Sequence, residues 1–169
     1  SIMVPGETTG DKDIDTYEML VRASESFIVT DTDGGVKILA GYPWFGEWSR
    51  DALISMPGLL LIPGKKDLAQ MILKRYAHKT RRGLLPTFYS KKTDEEVYTS
   101  IDTGLWYFYA IAKYVYYTDD FDFVREELYA VMTEIMNTYL YDTEVPLHSA
   151  KDGLLETQRT RTTLTWMDA

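Results

Sequence analysis

The apolar residues of this chain predict five helices of two alternating kinds. Segments 14–30, 65–80 and 121–141 carry apolar residues on one face only, which is typical of a helix with one solvent-exposed side. Segments 50–62 and 101–117 lie between them and are apolar on nearly every face, so these helices need shielding all round. In a simple bundle every helix would be one-sided. The alternation therefore favours buried helices inside a ring of half-exposed ones.

A double ring of this kind is an (α/α)6 toroid, so we predict an all-α fold with β-hairpins as a minor component. Pro57 is expected to kink or divide the second helix, because its ring breaks the helical hydrogen-bond pattern. Asp15, followed three residues later by Glu18, has the capping-box pattern that predicts the start of the first helix. Residues 1–13 hold one proline and two glycines, which predicts a loop or linker. The short, partly β-branched segment 36–40 predicts a strand.

Charge and composition exclude several classes of function. The formal net charge is −8, which disfavours duplex nucleic acid and anionic membranes as partners, since both need concentrated positive charge. The chain has no cysteine, so disulfides and thiolate metal sites are excluded. His78 and His148 have no partner at metal-ligand spacing, and we expect neither a metal nor a cofactor. The N-terminus lacks a secretory pattern, and no apolar run reaches the ~18 residues that span a membrane. We expect a cytoplasmic protein.

The start of the second helix combines aromatic and charged residues in a way that packing alone does not require. Two indoles, a guanidinium and a carboxylate fall within a few positions, at Trp44, Trp48, Arg50 and Asp51. An indole offers a flat apolar face, and the charged pair offers hydrogen-bond donors and acceptors. A sugar ring has matching features, and Glu47 is a further candidate for sugar contact. The same residue types also occur in packing interfaces and as helix caps, and both interpretations stand for this stretch alone.

Two other segments repeat the combination of tryptophan and aspartate near a helix start. The segment that enters the fourth helix holds Tyr98 and Asp102, with Trp106 one turn later, and the end of the chain holds Trp166 and Asp168. In a toroid the three segments would lie at the same end of the rings. We therefore expect them to converge on one sugar pocket, although Asp51 and Asp102 taken singly could be ordinary N-caps.

Several motifs, in this order, resemble the amylo-α-1,6-glucosidase domain of glycogen-debranching enzymes. They are Gly41-Tyr42-Pro43-Trp44-Phe45, Trp48-Ser49-Arg50-Asp51, segment 98–102 with Leu105-Trp106, Asp152-Gly153-Leu154-Leu155, and Leu164-Thr165-Trp166-Met167-Asp168-Ala169. The resemblance covers about residues 38–169. The Trp-x-Arg-Asp element is also similar to that of glucoamylases, which form a related group of toroids.

The resemblance implies a six-hairpin toroid that hydrolyses the α-1,6-linked glucose stub at a glycogen branch point, with inversion. It implies that Arg50 and Asp51 grip hydroxyls of the terminal glucose. It implies that four indoles line the pocket, namely Trp44, Trp48, Trp106 and Trp166. Asp102 would bind sugar or order the site, and Asp168 would be the general acid.

The resemblance also implies that residues 14–169 form the front half of an (α/α)6 catalytic domain. Such a toroid needs about twelve helices, and the family's general base would lie beyond residue 169. The expected partners are an α-glucan (glycogen or a limit dextrin) and the remainder of the catalytic domain. We expect the chain alone to be inactive and to leave apolar patches on its inner helices exposed. Two alternatives stay open: a toroid hydrolase of α-1,4-glucans or disaccharides, and a non-catalytic oligosaccharide-binding module.

Overall fold

The computed structural model describes residues 10–31, 34–42, 44–89, 95–141, 147–157 and 165. Most of these residues are helical, and the rest include small antiparallel strands. The predicted class, all-α with minor β-hairpins, is therefore confirmed, whereas closure into a toroid remains a prediction. Within these ranges no helix is both long and apolar enough to cross a membrane.

Four of the five predicted helices have bounds within one residue of those observed. The helices are α1 Lys12–Glu25, α2 Ser49–Met56, α3 Lys66–Lys79, α4 Asp102–Thr118, α5 Phe121–Phe123 and α6 Tyr129–Tyr141. A π-helical turn, Pro57–Leu61, continues α2, and a second one, Val124–Leu128, joins α5 to α6. The change of helix type at Pro57 is the expected division of the second helix. It follows from the missing N–H of proline.

Helix α1 differs from its prediction at both ends. Its N-cap is Asp11, whose carboxylate accepts from the backbone N–H of Asp13 at 2.9 Å, so the predicted cap at Asp15 is wrong. Two residues of the predicted linker are therefore helical. The helix ends at Glu25, and residues 28–30 form a strand because they pair with a later segment, with Ile28 opposite Ile38. This long-range pairing overrides the local helical pattern.

Seven short strands form three antiparallel sheets. They are β1 Ile28–Thr30, β2 Val36–Gly41, β3 Phe45–Glu47, β4 Phe88–Tyr89, β5 Glu96–Val97, β6 Leu147–Ser149 and β7 Leu155–Thr157. The first sheet has the order β1-β2-β3, and the others are the hairpins β4-β5 and β6-β7. An isolated bridge between Trp48 and Phe88 joins the residue that follows β3 to the β4-β5 hairpin. This bridge brings two distant segments to the start of α2.

The hydrophobic core lies where α2 packs against α4, with α3 and α6 around them. Leu53 and Met56 of α2 and Tyr107 of α4 are fully buried. Helix α4 approaches α6 closely at Gly104, where an added Cβ would overlap the Tyr139 hydroxyl. That hydroxyl donates to the carbonyl of Ile101, so it holds the start of α4 in place.

The two helices predicted to be inner ones bury one side only. Large apolar side chains are exposed on the other side: Ile54, Leu105, Tyr109, Tyr116 and Tyr117. The all-round apolar sequence of α2 and α4 is thus not matched by all-round burial. The expected exposed apolar surface on these helices is present.

Candidate functional site

A cleft of about 360 Å³ lies at the start of α2, where segments 45–51, 87–88 and 99–100 meet. Three rings contribute to its walls, those of Phe45, Trp48 and Phe88. Arg50 and Asp51 contribute charge, and four hydroxyls lie on the same walls, from Thr87, Thr99, Ser100 and Thr165. The cleft therefore has flat apolar surfaces beside a dense set of hydrogen-bonding groups.

Trp48 is held at the cleft by both its backbone and its ring. It is the N-cap residue of α2, with extended dihedral angles φ −117° and ψ 122°, and it pairs with Phe88 in the isolated bridge. The next residue, Ser49, donates its N–H to the carbonyl of Thr87 at 3.0 Å. The indole stacks on the ring of Phe88 with centroids 4.8 Å apart and planes inclined by 28°. Trp48 is half-buried, so part of it remains open to a ligand.

One hydroxyl oxygen joins segment 87–88 of the cleft to segment 99–100. Thr87 Oγ1 accepts from the backbone N–H of Thr99 at 2.9 Å and of Ser100 at 2.8 Å. The Thr87 N–H donates to the carbonyl of Val97 at 2.6 Å. These bonds fix the segment before α4 against the β4-β5 hairpin. All of them depend on Thr87, and nothing in the sequence around this threonine predicts them.

Arg50 and Asp51 form an ion pair in the first turn of α2. Arg50 Nη2 lies 3.6 Å from Asp51 Oδ2, and their side chains are 25% and 42% exposed. The N-cap position belongs to Trp48, whose side chain makes no capping bond. The alternative that Asp51 is an ordinary N-cap is therefore wrong. Both charged groups face the cleft and have donors and acceptors left over for a ligand.

Asp102 lies in the first turn of α4, just behind the cleft wall. Its Oδ1 accepts from the hydroxyl of Ser100, a residue that lines the cleft. Its Oδ2 is buried and has no hydrogen-bond partner among the residues that the structure describes. The N-cap of α4 is Ile101, so the capping alternative is wrong for Asp102 too. A buried carboxylate oxygen without a partner is costly, so the role of Asp102 that the described residues show is to hold Ser100 in the wall.

Two of the predicted indoles lie away from the lining of this cleft. Trp44 is 77% exposed, and Trp106 packs on the core with its ring edge-on to Tyr109 at 5.4 Å. Neither is among the described residues that line the cleft. Tyr98 also turns away, since its hydroxyl donates to the carbonyl of Lys79 at 2.6 Å.

The predicted general acid, Asp168, and the predicted pocket residue Trp166 lie outside the described residues. The residue before Trp166 is Thr165, which is described and lines the cleft. The third predicted segment thus reaches the same cleft as the first two at one residue.

Glu47, a candidate for sugar contact, is buried at the end of β3. It pairs with Arg75 of α3 and accepts from the hydroxyl of Tyr76 at 3.0 Å. Its side chain is 3% exposed, and it does not line the cleft. The described part of the chain holds no cluster of three or more His, Cys, Asp or Glu side chains that could bind a metal.

Sequence reasoning missed Phe88 and the hydroxyls of Thr87, Thr99 and Ser100. The segment after Pro86 has no helical periodicity, and the charged residues that follow it favour a loop. A local signal did exist, because residues 87–89 are β-branched or aromatic and such residues favour strands. The pairing of this segment with residue 48 is not local, however, and no periodicity in the sequence reports it.

A family model and a curated relative that match this chain agree with each other. The family model described as amylo-alpha-1,6-glucosidase matches residues 22–169. The glycogen debranching enzyme of Saccharomyces cerevisiae is 27% identical over 130 residues, which cover 74% of this chain and 8% of the yeast protein. The matched segment therefore spans less than a tenth of the length of that relative.

Proposed function

Because the chain belongs to the amylo-alpha-1,6-glucosidase family, we propose that it forms the front half of a glycoside hydrolase domain. The domain releases glucose from the α-1,6-linked stubs at the branch points of glycogen or of a limit dextrin. The relative's printed name, glycogen debranching enzyme, supports an α-glucan as the substrate. The remainder of the catalytic domain completes the toroid and supplies the general base.

The observation that carries this proposal is the convergence of an indole, an ion pair and hydroxyls on one cleft. The volume of about 360 Å³ lies near the lower end of the ~300–1,000 Å³ of ligand pockets, which suits a single hexose. The open part of Trp48 packs against the C–H face of the sugar. Its hydroxyls then meet the guanidinium of Arg50 and the carboxylate of Asp51, which donate and accept, respectively.

Two features of the wall support binding of a neutral, hydroxyl-rich ligand. The cleft lies at the N-terminus of α2, where the helix dipole favours the negative charge of Asp51. Asp102 accepts a hydrogen bond from the hydroxyl of Ser100 and thereby fixes Ser100 in the wall. Charge-assisted bonds of this kind contribute about 1.5–3 kcal/mol each.

Inverting hydrolysis needs a carboxylic acid at the leaving oxygen and a carboxylate that activates water across the ring, roughly 6.5–9.5 Å away. Asp168 is the proposed acid, and it must hold its proton near neutral pH. An apolar wall raises the pKa of a carboxyl by desolvation, and Trp166 would provide that wall. Trp44 and Trp106 would complete the pocket together with the rest of the domain.

The proposal is tested with the complete protein that carries this chain, supplied with a limit dextrin or with a linear maltooligosaccharide. We expect glucose from the dextrin, released as the β-anomer in proton NMR, and little from the linear substrate. Asp168→Asn should abolish release, whereas Asp67→Asn, an exposed carboxylate on α3, should not. The chain of 169 residues alone should release no glucose.

Other outcomes would contradict specific parts of the proposal. Equal release from the linear substrate would identify an α-1,4-glucan hydrolase. Turnover that survives in Asp168→Asn would remove the acid assignment. Sugar binding without any turnover would identify a non-catalytic binding module.

A further inference from the structure

The residue that precedes Trp48 is a buried glutamate in an ion pair with another helix. Glu47 Oε1 accepts from Arg75 Nη1, and the two side chains are 3% and 18% exposed. The same oxygen accepts from the hydroxyl of Tyr76 at 3.0 Å. Glu47 closes β3, whereas Arg75 and Tyr76 belong to the middle of α3. The pair therefore joins the strand before the cleft to a helix that lies behind it.

Arg75 is itself held in place by a ring. Its guanidinium lies over the ring of Tyr89, 4.7 Å from the centroid. Burial alone would lower the pKa of Arg75, but the hydrogen bond and the charge of Glu47 raise it above its ordinary value. Burial and the charge of Glu47 raise the pKa of Tyr89, so its hydroxyl stays neutral. Tyr89 closes β4 next to Phe88, and the cluster therefore touches both strands that hold the indole.

This cluster is poorly explained by stability alone. Burying two charges costs about as much as their attraction returns, and an apolar pair of the same size often stabilises a protein more. In addition, Glu47 Oε2 is buried without a partner among the described residues, which adds a desolvation cost. The arrangement does, however, fix direction, because two donors of α3, the Arg75 guanidinium and the Tyr76 hydroxyl, hold the same oxygen of the Glu47 carboxylate. The neighbour of that carboxylate in the chain is Trp48.

We propose that Glu47 and Arg75 are positioning residues that set the orientation of Trp48 and of the Arg50–Asp51 pair in the cleft. They do so by anchoring the end of β3 to α3 while Arg75 stacks against β4. As far as it concerns sugar binding, this inference rests on the proposed function. The orientation of the indole can be measured without any sugar.

The first test is fluorine NMR of the protein labelled with fluorotryptophan, in which Trp48→Phe identifies the resonance of Trp48. We expect that resonance to shift or split in Glu47→Gln and in Arg75→Lys. The matched control is Lys74→Met, which removes an exposed ion pair with Glu127 from the neighbouring position of α3 and should leave the resonance unchanged. If both first variants fail to fold, Tyr89→Leu removes the stacking ring but keeps both charges, and should shift the resonance as well. An unchanged Trp48 resonance in the folded variants would overturn the inference.

The second test separates the positioning role from a purely structural one and from the proposed function. Isomaltose, an α-1,6-linked disaccharide, is titrated into the protein at a temperature where every variant is folded. We expect its affinity to fall at least about tenfold in Glu47→Gln and Arg75→Lys and to stay within about twofold in Lys74→Met. A structural role would lower the unfolding temperature but leave both the affinity and the resonance unchanged. If the parent protein binds no isomaltose although the resonance shifts, the proposed function fails and the positioning role stands.

Discussion

The ring of Phe88 covers one face of the indole of Trp48, with centroids 4.8 Å apart. Both residues line the same cleft although they come from distant parts of the chain. A ligand can therefore use only the opposite face and the edge of the indole. Phe88 acts as a rigid backing for the surface on which we expect a sugar to pack.

Replacing Phe88 should weaken sugar binding without any change in the groups that bind hydroxyls. A stacked aromatic pair contributes about 0.5–1.5 kcal/mol beyond area burial, so Phe88→Ala should lower the affinity for isomaltose about two- to tenfold. Isothermal titration would measure this. Tyr116→Ala is the control, because Tyr116 is 79% exposed on α4. Equal affinities in parent and Phe88→Ala would show that the indole keeps its orientation unaided.

Asp51→Asn should reduce affinity far more than it reduces stability. The change removes a charged acceptor from the cleft, worth about 1.5–3 kcal/mol in a charge-assisted hydrogen bond. It does not remove a helix cap, since Trp48 is the N-cap of α2. Asp67→Asn is a matched control, because Asp67 is also acidic in the first turn of a helix, α3, and both variants lose the same favourable dipole interaction. Titration with isomaltose and urea unfolding separate the two effects, and equal affinities in the two variants would contradict the assignment of Asp51.

Gly104→Ala should destabilise the fold by about 1–3 kcal/mol through overpacking. The added Cβ would overlap the Tyr139 hydroxyl and come within 3.2 Å of Ile135 Cγ2. Tyr139 cannot move aside easily because it bonds the carbonyl of Ile101. Gly58→Ala is the control, since no atom of the described residues lies within 4 Å of the position that its Cβ would take, and it should be neutral or slightly stabilising. Urea unfolding of the two variants measures the difference, and similar values for both would show that α4 and α6 can separate at this point.

Asp120 should contribute to acid denaturation. Hydrogen bonds from Lys66 and Tyr114 and from the backbone of Phe123 lower the pKa of Asp120 from 3.8 to about 2. The folded value lies below the unfolded one, so this carboxylate stabilises the fold above pH 3.8, and the contribution is lost as the pH falls toward about 2. In urea unfolding, Asp120→Asn should therefore show a flatter loss of stability across that interval.

Two tyrosine variants test the cause of that pH dependence. Tyr114→Phe removes one hydrogen bond to Asp120, of 2.8 Å, and should flatten the slope in part. Tyr107→Phe removes a buried hydroxyl that bonds the carbonyl of Leu73, and should lower stability by about 1 kcal/mol equally at every acid pH. A slope that is the same in Asp120→Asn and in the parent would contradict the prediction.

Local sequence patterns were sufficient for the helices and insufficient for the strand that follows the first of them. The single apolar face of segment 65–80 predicts helix α3, and Pro57 predicts the change in helix type after α2. Residues 28–30 continue the helical pattern of α1, yet they pair with β2. The capping-box pattern predicts Asp15 as the cap of α1, whereas the side chain that accepts from the first backbone N–H groups is that of Asp11.

Local sequence patterns likewise predict some residues of the candidate site and miss others. Trp48, Arg50 and Asp51 were predicted as sugar-binding residues from their chemistry, and all three line the cleft. Phe88 and Thr87 were not, because they reach the cleft through a bridge between distant segments. Whether the helices close into a ring depends on crossing angles, which hydrophobic periodicity does not encode.

Three hydrogen bonds of Thr87 fix the base of the β4-β5 hairpin. Its hydroxyl accepts from the N–H groups of Thr99 and Ser100, and its own N–H donates to the carbonyl of Val97. Changing the number of residues between β4 and β5 should therefore leave Thr87, Phe88, Thr99 and Ser100 in their positions along the cleft. The connection between β4 and β5 is therefore a suitable position for an engineered insertion, because the residues that line the cleft keep their hydrogen bonds.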